Sequence, residues 1–327
     1  MHVPLLFLSL LLCNILAYST LPVAIISQFA TTELLSLQNE PISSTHKISA
    51  TLDLHRGLHP SLITILPTGI SVGANCDGPL CATWDELRTL LPKKKKKGKI
   101  NEYEGACYNI YEDGTSPWRV STQSANTNRV ASLFSSSATA PTMVLAGFTM
   151  HRIVQSDPSL DTKQKIIAAR PRGDVLDTCC GLGYTAIAAS QTTGVNKVVT
   201  VEYDDASVEI CKSNPWSAEL FSSENIELVR GDVCEHIKTL PDSSFSTIIH
   251  DPPALALCKG SDLYGQNFYN DLKRVLTPNG RLFHYVGSPE SRESGRLFGG
   301  IKLRLNEAGF GHVQNADAAF GITAVKQ

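Results

Sequence analysis

The chain has 327 residues, 42% of them hydrophobic and 18% charged, with a formal net charge of −2. Those values exclude a disordered polar chain and a surface basic throughout, so any contact with nucleic acid must be local. The nine cysteines are odd in number and irregularly spaced, and Cys179 adjoins Cys180. This points to free thiols in a reducing compartment and away from a disulfide framework. Cys76 and Cys81 have no second Cys or His pair to complete a zinc site, so no metal is assigned.

In chain order, the first feature is an apolar leader, residues 1–27, within a stretch that lacks Asp, Glu, Lys and Arg up to residue 32. It fits a secretory core of ~7–15 residues or, less well, a membrane anchor of ~20 residues. A wrongly assigned start codon is the plain alternative. Retention of the segment would bring a membrane contact; the apolar leader suggests ER-routed or organellar targeting, with a cytoplasmic address otherwise, and leaves the choice open. Residues 28–46 are polar and read as a linker.

Residues 47–149 show short apolar runs cut by Gly, Pro, Asn and Asp, the pattern of a small β-rich domain. Within it, "TWDELRTLL" predicts a short helix with a capping box formed by Thr83 and Glu86. The basic run Lys93–Lys99 follows as an exposed loop. It is either a solvated insertion or a phosphate-contacting surface for RNA.

From residue 150 to 327 strands alternate with helices: "DVLDTCC", "KVVTVEYD", "IELVRGD", "STIIHDPP" and "GRLFHYVG" are strands. The last helix is followed by a hairpin of "GHVQNA" and "FGITAVKQ". The prediction is an α/β fold, a doubly wound Rossmann-like seven-stranded mixed sheet. In such a sheet ligands bind beyond the carboxyl ends of the strands. Gly181 and Gly183 stand at the first strand-to-helix turn, where glycine lets backbone approach a ligand. With Ala186 they also satisfy a dinucleotide pattern, so the turn does not choose its cofactor.

Acids at four strand ends narrow the choice: Asp177, Glu202, Asp232 and Asp251. A carboxylate facing a pyrophosphate is unfavourable, whereas S-adenosylmethionine carries an ammonium and a sulfonium. Glu202 can accept the ribose hydroxyls and Asp232 the adenine amino group.

The segments "LDTCCGLGYTA", "VEYD", "RGDV" and "DPP" resemble the class I S-adenosylmethionine-dependent methyltransferases. With "MHRI" and "HDPP" they resemble more narrowly a little-characterised archaeal-type branch. The resemblance implies that Asp177, Gly181 and Gly183 line the methionine end, with Glu202 at the ribose and Asp232 at the adenine. It implies that Thr178, Cys179 and Cys180 lie in the loop by backbone contact. It also implies that Asp251, with Pro252 and Pro253, orients a planar amino group for in-line transfer. Ala254 departs from the pattern, because families that act on flipped nucleobases place a stacking aromatic there; Tyr264, Phe268 or the small domain would have to supply the ring. His250 and His284 read as structural histidines before bases, and Arg152 as either a substrate contact or an ion pair.

The expected activity is methyl transfer from S-adenosylmethionine to an amino group, with RNA (tRNA or rRNA) named first as acceptor. Alternatives are a small-molecule or protein acceptor, an aminopropyltransferase-like reaction and an NAD-dependent Rossmann enzyme. The sequence does not give the oligomeric state.

Overall fold

The computed structural model describes residues 22–41, 45–47, 62–73, 79–91, 105–136, 139–258, 260–288 and 292–327. Most of the apolar leader, Cys76 and the run Lys93–Lys99 lie outside the described residues. The chain divides into two compact units, residues 1–120 and 121–327.

In the first unit β1 (Pro22–Ser27) pairs with β6 (Cys107–Tyr111), which also pairs with β7 (Trp118–Arg119). A second sheet runs in the order β2 (Thr45–Lys47), β3 (Leu62–Leu66), β4 (Gly69–Val72), β5 (Ala82–Thr83). Helices α1 (Gln28–Ser36) and α2 (Trp84–Leu90) supply Leu34, Trp84 and Leu87 to a core with Ile26, Ile63, Ile65 and Ile110. The Thr83–Glu86 capping box forms as expected, Glu86 N donating to Thr83 Oγ1 at 3.1 Å and Thr83 N to Glu86 Oε2 at 2.9 Å.

Two expected boundaries move. Residues 28–46 are not a plain linker, because Ser27 caps a helix that buries Ala30 and Leu34 in this core. The division falls at 120/121 and not at 149/150. Residues 121–149 form their own antiparallel layer, in the order β11 (Phe148–Thr149), β10 (Thr142–Leu145), β9 (Val130–Phe134), β8 (Ser121–Gln123). Polar bonds hold this layer to the second unit: Ser124 Oγ donates to Asp205 Oδ1 at 2.6 Å, and Thr127 Oγ1 to Asp204 Oδ2 at 2.7 Å. Tyr184 Oη donates to the Pro141 carbonyl at 2.9 Å.

The rest of the second unit is the expected α/β sheet. It contains β12 (Gly173–Asp177), β13 (Val195–Glu202), β14 (Ile226–Arg230), β15 (Phe245–His250), β16 (Leu276–Tyr285), β17 (Phe310–Ala316) and β18 (Gly321–Lys326). Their spatial order is β14-β13-β12-β15-β16-β18-β17. β18 runs antiparallel to both neighbours and the other pairs are parallel, so the sheet is mixed. Order reverses between β12 and β15, which puts the carboxyl ends of β12, β13 and β15 around one crevice. The helices are α3 (Pro158–Ala169), α4 (Tyr184–Ser190), α5 (Asp205–Ser213), α6 (Glu219–Ser222), α7 (Val233–Thr239), α8 (Gln266–Val275) and α9 (Arg292–Glu307). Leu176, Ile248 and Leu282 of the sheet pack with Tyr269, Leu272 and Ile301 of α8 and α9. Among the described residues no helix is long and apolar enough to cross a membrane.

Asp204 joins these layers: it caps α5 through the Ala206 amide at 3.0 Å while holding Thr127. Asp204→Ala should therefore cost about 1–2 kcal/mol, the ordinary value of a lost N-cap. Urea unfolding measures that loss, and hydrogen exchange should quicken in residues 124–129.

Candidate active site

The crevice is a cavity of about 940 Å³ built wholly from the second unit. Its floor is the turn after β12. Gly181 has φ +55°, and a side chain built there would meet nothing within 4 Å, so the backbone borders open space. Gly183, at φ +76°, starts α4, but an added Cβ would lie 3.0 Å from Leu220. It is a packing glycine and does not line the cavity wall.

Glu202 ends β13 and faces this turn. Oε2 accepts from the Gly181 amide at 2.8 Å and Oε1 from the Asp204 amide at 2.8 Å. Burial pushes its carboxyl up to about 7 against those two bonds. Asp232 follows β14, caps α7 through the Cys234 amide at 2.8 Å and borders the cavity with its side chain exposed.

Asp177 behaves differently from the expectation of a methionine-end ligand. It is fully buried, stands outside the cavity wall and accepts from Thr200 Oγ1 at 2.6 Å and Thr185 Oγ1 at 3.2 Å. Burial pushes its carboxyl up to about 7. Its side chain leaves the strand on the side that packs against α4, so it supports the turn from behind.

Thr178, Cys179 and Cys180 do border the cavity. Burial raises both thiols well above their usual value, so they fill the loop as neutral groups. Thr178 Oγ1 lies 2.7 Å from His250 Nδ1, and His250 Nε2 lies 2.9 Å from the Leu263 carbonyl. His284 bonds Tyr269 Oη at 2.9 Å and the Tyr285 carbonyl at 2.7 Å. Both rings are 0% exposed, and burial lowers both, His250 to about 3. They are neutral structural histidines and not bases.

Asp251, after β15, borders the cavity with Pro252 and Pro253. The Pro253 carbonyl is taken by Tyr264 Oη at 3.0 Å and Cys258 Sγ at 3.3 Å. Tyr264 thus supplies a fixed ring in the wall where Ala254 cannot, whereas Phe268 is buried against His250 at 5.3 Å. Lys165 on α3 reaches Asp251 Oδ2 at 2.6 Å. Strand–helix patterning points to neither Lys165 nor its helix; the Asp157–Pro158 start and the Asp161/Lys165 spacing are the signals that mark them. Arg152 pairs with Asp161, as an ion pair, and stands over the Phe320 ring at 4.1 Å. The upper wall comes from the 121–149 layer and residues 150–155, with His151 stacked on Tyr184 at 5.0 Å.

Residues 154–310 match the family model of the methyltransferase small domain. An uncharacterized protein of Methanocaldococcus jannaschii is 42% identical over 189 residues, 57% of this chain and 64% of that protein. A polyamine aminopropyltransferase of Streptomyces coelicolor is 27% identical over 143 residues, 42% of this chain and 26% of its own length. The ribosomal RNA large subunit methyltransferase G of Shewanella amazonensis is 28% identical over 161 residues, covering 46% and 40%. The chain therefore spans less than two thirds of each of these relatives. The cofactor of the matched domain is S-adenosylmethionine, and this cavity fits it: a bare backbone turn at Gly181, with carboxylates at Glu202 and Asp232 and no phosphate to repel.

The buried carboxyl of Asp177 carries a pH signature. An acid raised by folding is protonated in both states at low pH; between the unfolded and folded values it keeps its proton while the unfolded chain ionises. Native stability relative to Asp177→Asn should fall between pH 4 and 7 and stay level above. The loss amounts to a few kcal/mol, because each tenfold change in proton affinity is worth about 1.4 kcal/mol. Paired denaturant titrations of the two proteins cancel the opposite contribution of the buried histidines.

Proposed function

We propose that this protein transfers the methyl group of S-adenosylmethionine to an amino nitrogen, with RNA (tRNA or rRNA) as the acceptor class. The observation that carries this reading is Asp251. It is a largely buried carboxylate in the same cavity as the Gly181 turn and Glu202, and Pro252 and Pro253 rigidify its exit from the sheet. When bound, S-adenosylmethionine supplies an electrophilic methyl and departs as a thioether. The chain's part is positional: Glu202 and Asp232 hold the nucleoside, and Asp251 accepts an N–H so that the nitrogen lone pair faces forward. The ribosomal RNA methyltransferase from Shewanella and the Lys93–Lys99 run support an RNA acceptor.

A second reading is aminopropyl transfer. The Streptomyces relative supports it, as does the cavity's charge: Glu202, Asp204, Asp232 and Asp251 border it, while Arg129 is bonded to the Leu257 carbonyl at 2.7 Å and Arg152 to Asp161. An acid-lined cavity suits a cationic acceptor.

Incubation with methyl-labelled S-adenosylmethionine or labelled decarboxylated S-adenosylmethionine, each with fractionated RNA, protein and polyamines, separates the two. Methyl counts in the RNA fraction are expected; counts only in polyamines from the decarboxylated form would reverse the order. Asp251→Ala should keep S-adenosylhomocysteine binding in calorimetry while transfer drops about 100-fold or more. Calorimetry with NAD should show no binding.

A further inference from the structure

Helix α3 carries a side chain to which the reaction above gives no task. Lys165 is 1% exposed, and an ammonium so deeply buried needs partners. Its Nζ donates to Asp251 Oδ2 at 2.6 Å and stands 3.0 Å from Asp161 Oδ2, one turn earlier on the helix. The Tyr285 ring centroid is 4.4 Å away. Asp161, 0% exposed, is also bonded by Arg152, so two cations face two carboxylates. No described residue donates to Asp251 Oδ1.

We propose that Lys165 is a positioning residue: its ammonium occupies Oδ2 of Asp251 and keeps that carboxyl an anion whose Oδ1 alone meets the acceptor. This rests on the amino-transfer reading and sharpens it. A carboxylate held ionised accepts hydrogen bonds and donates none, so the acceptor nitrogen must bring at least one N–H. Primary and secondary amines or exocyclic amino groups qualify, and tertiary amines do not.

The electrostatics agree with the geometry. Burial alone would lower the Lys165 ammonium, and the Asp251 and Asp161 carboxylates outweigh it, so the cation is held. Burial raises the Asp251 carboxyl, and Lys165 is the chief influence against that rise. The other titratable or charged groups around Asp251 are Asp161 on α3, Arg152 before it, Asp177 at the end of β12, Cys179 in the turn, and Tyr264 and Tyr285.

The test is a carbon-13 NMR titration of the full chain labelled at its aspartate carboxyls. The Asp251 signal is identified by its loss in Asp251→Ala. In Lys165→Met the Asp251 midpoint should rise by about 1–3 pH units, the effect of one opposite charge at this distance. In Asp161→Asn, which keeps Lys165 beside Asp251 and removes a like charge, the midpoint should move down. Opposite signs distinguish a direct charge effect on Asp251 from a general loosening of its surroundings, which would move both midpoints the same way. If Lys165→Met does not fold, Lys165→Met/Asp161→Asn removes the second buried acid that Lys165 faces as well, and its Asp251 midpoint should still rise. A midpoint that stays in place without Lys165 overturns the proposal. Methyl transfer surviving in Asp251→Ala, with the titration response to Lys165→Met intact, would instead sink the amino-transfer reading.

Discussion

The hydrogen bond from the Gly181 amide to Glu202 is the constraint on which the site depends. The turn after β12 has no side chain at Gly181 to fix it, so its position must come from outside. Glu202 supplies that, and its second oxygen takes the Asp204 amide, so one carboxylate aligns both the glycine turn and the start of α5. Asp204 in turn caps α5 and holds Thr127. The upper wall of the cavity thus inherits its place from the floor. The cost is electrostatic: a buried carboxyl prefers its proton, and only preorganised donors oppose that preference.

Asp177 and Asp251 end neighbouring strands with the same chemical group, yet their surroundings divide the work. Two threonine hydroxyls hold Asp177, which leaves burial as the dominant influence on it. An ammonium holds Asp251. Placing two carboxyls in unlike environments is how one sheet edge accommodates both a support and a reacting group.

Much of this was legible in the sequence, because strand–helix alternation is a strong pattern and its strand ends are predictable. Gly181, Glu202, Asp232 and Asp251 could all be set around one crevice from that pattern alone. The direction of Asp177 could not, since at the last residue of a strand the turn that follows decides which way the side chain leaves. Nor could the domain boundary: residues 121–149 have the same short β pattern as the unit before them, and it is tertiary bonds, such as those to Asp204, Asp205 and Tyr184, that assign them to the second. Helix α3 escapes such reading because its buried face holds Asp161 and Lys165, which hydrophobic periodicity counts as solvent-facing.

The position of β18 bears on how such a sheet is assembled during translation. It is the latest of the seven strands in sequence, yet it lies between β16 and β17. A nascent chain that has emerged as far as β17 has a vacancy in its sheet: β16 has an open edge, and β17 has no neighbour to pair with. Cooperative closure must wait for Gly321–Lys326 to emerge. Until then Phe283 and Leu282 on β16 lack one flank of their packing, and that interval is when the growing chain most needs protection from wrong partners.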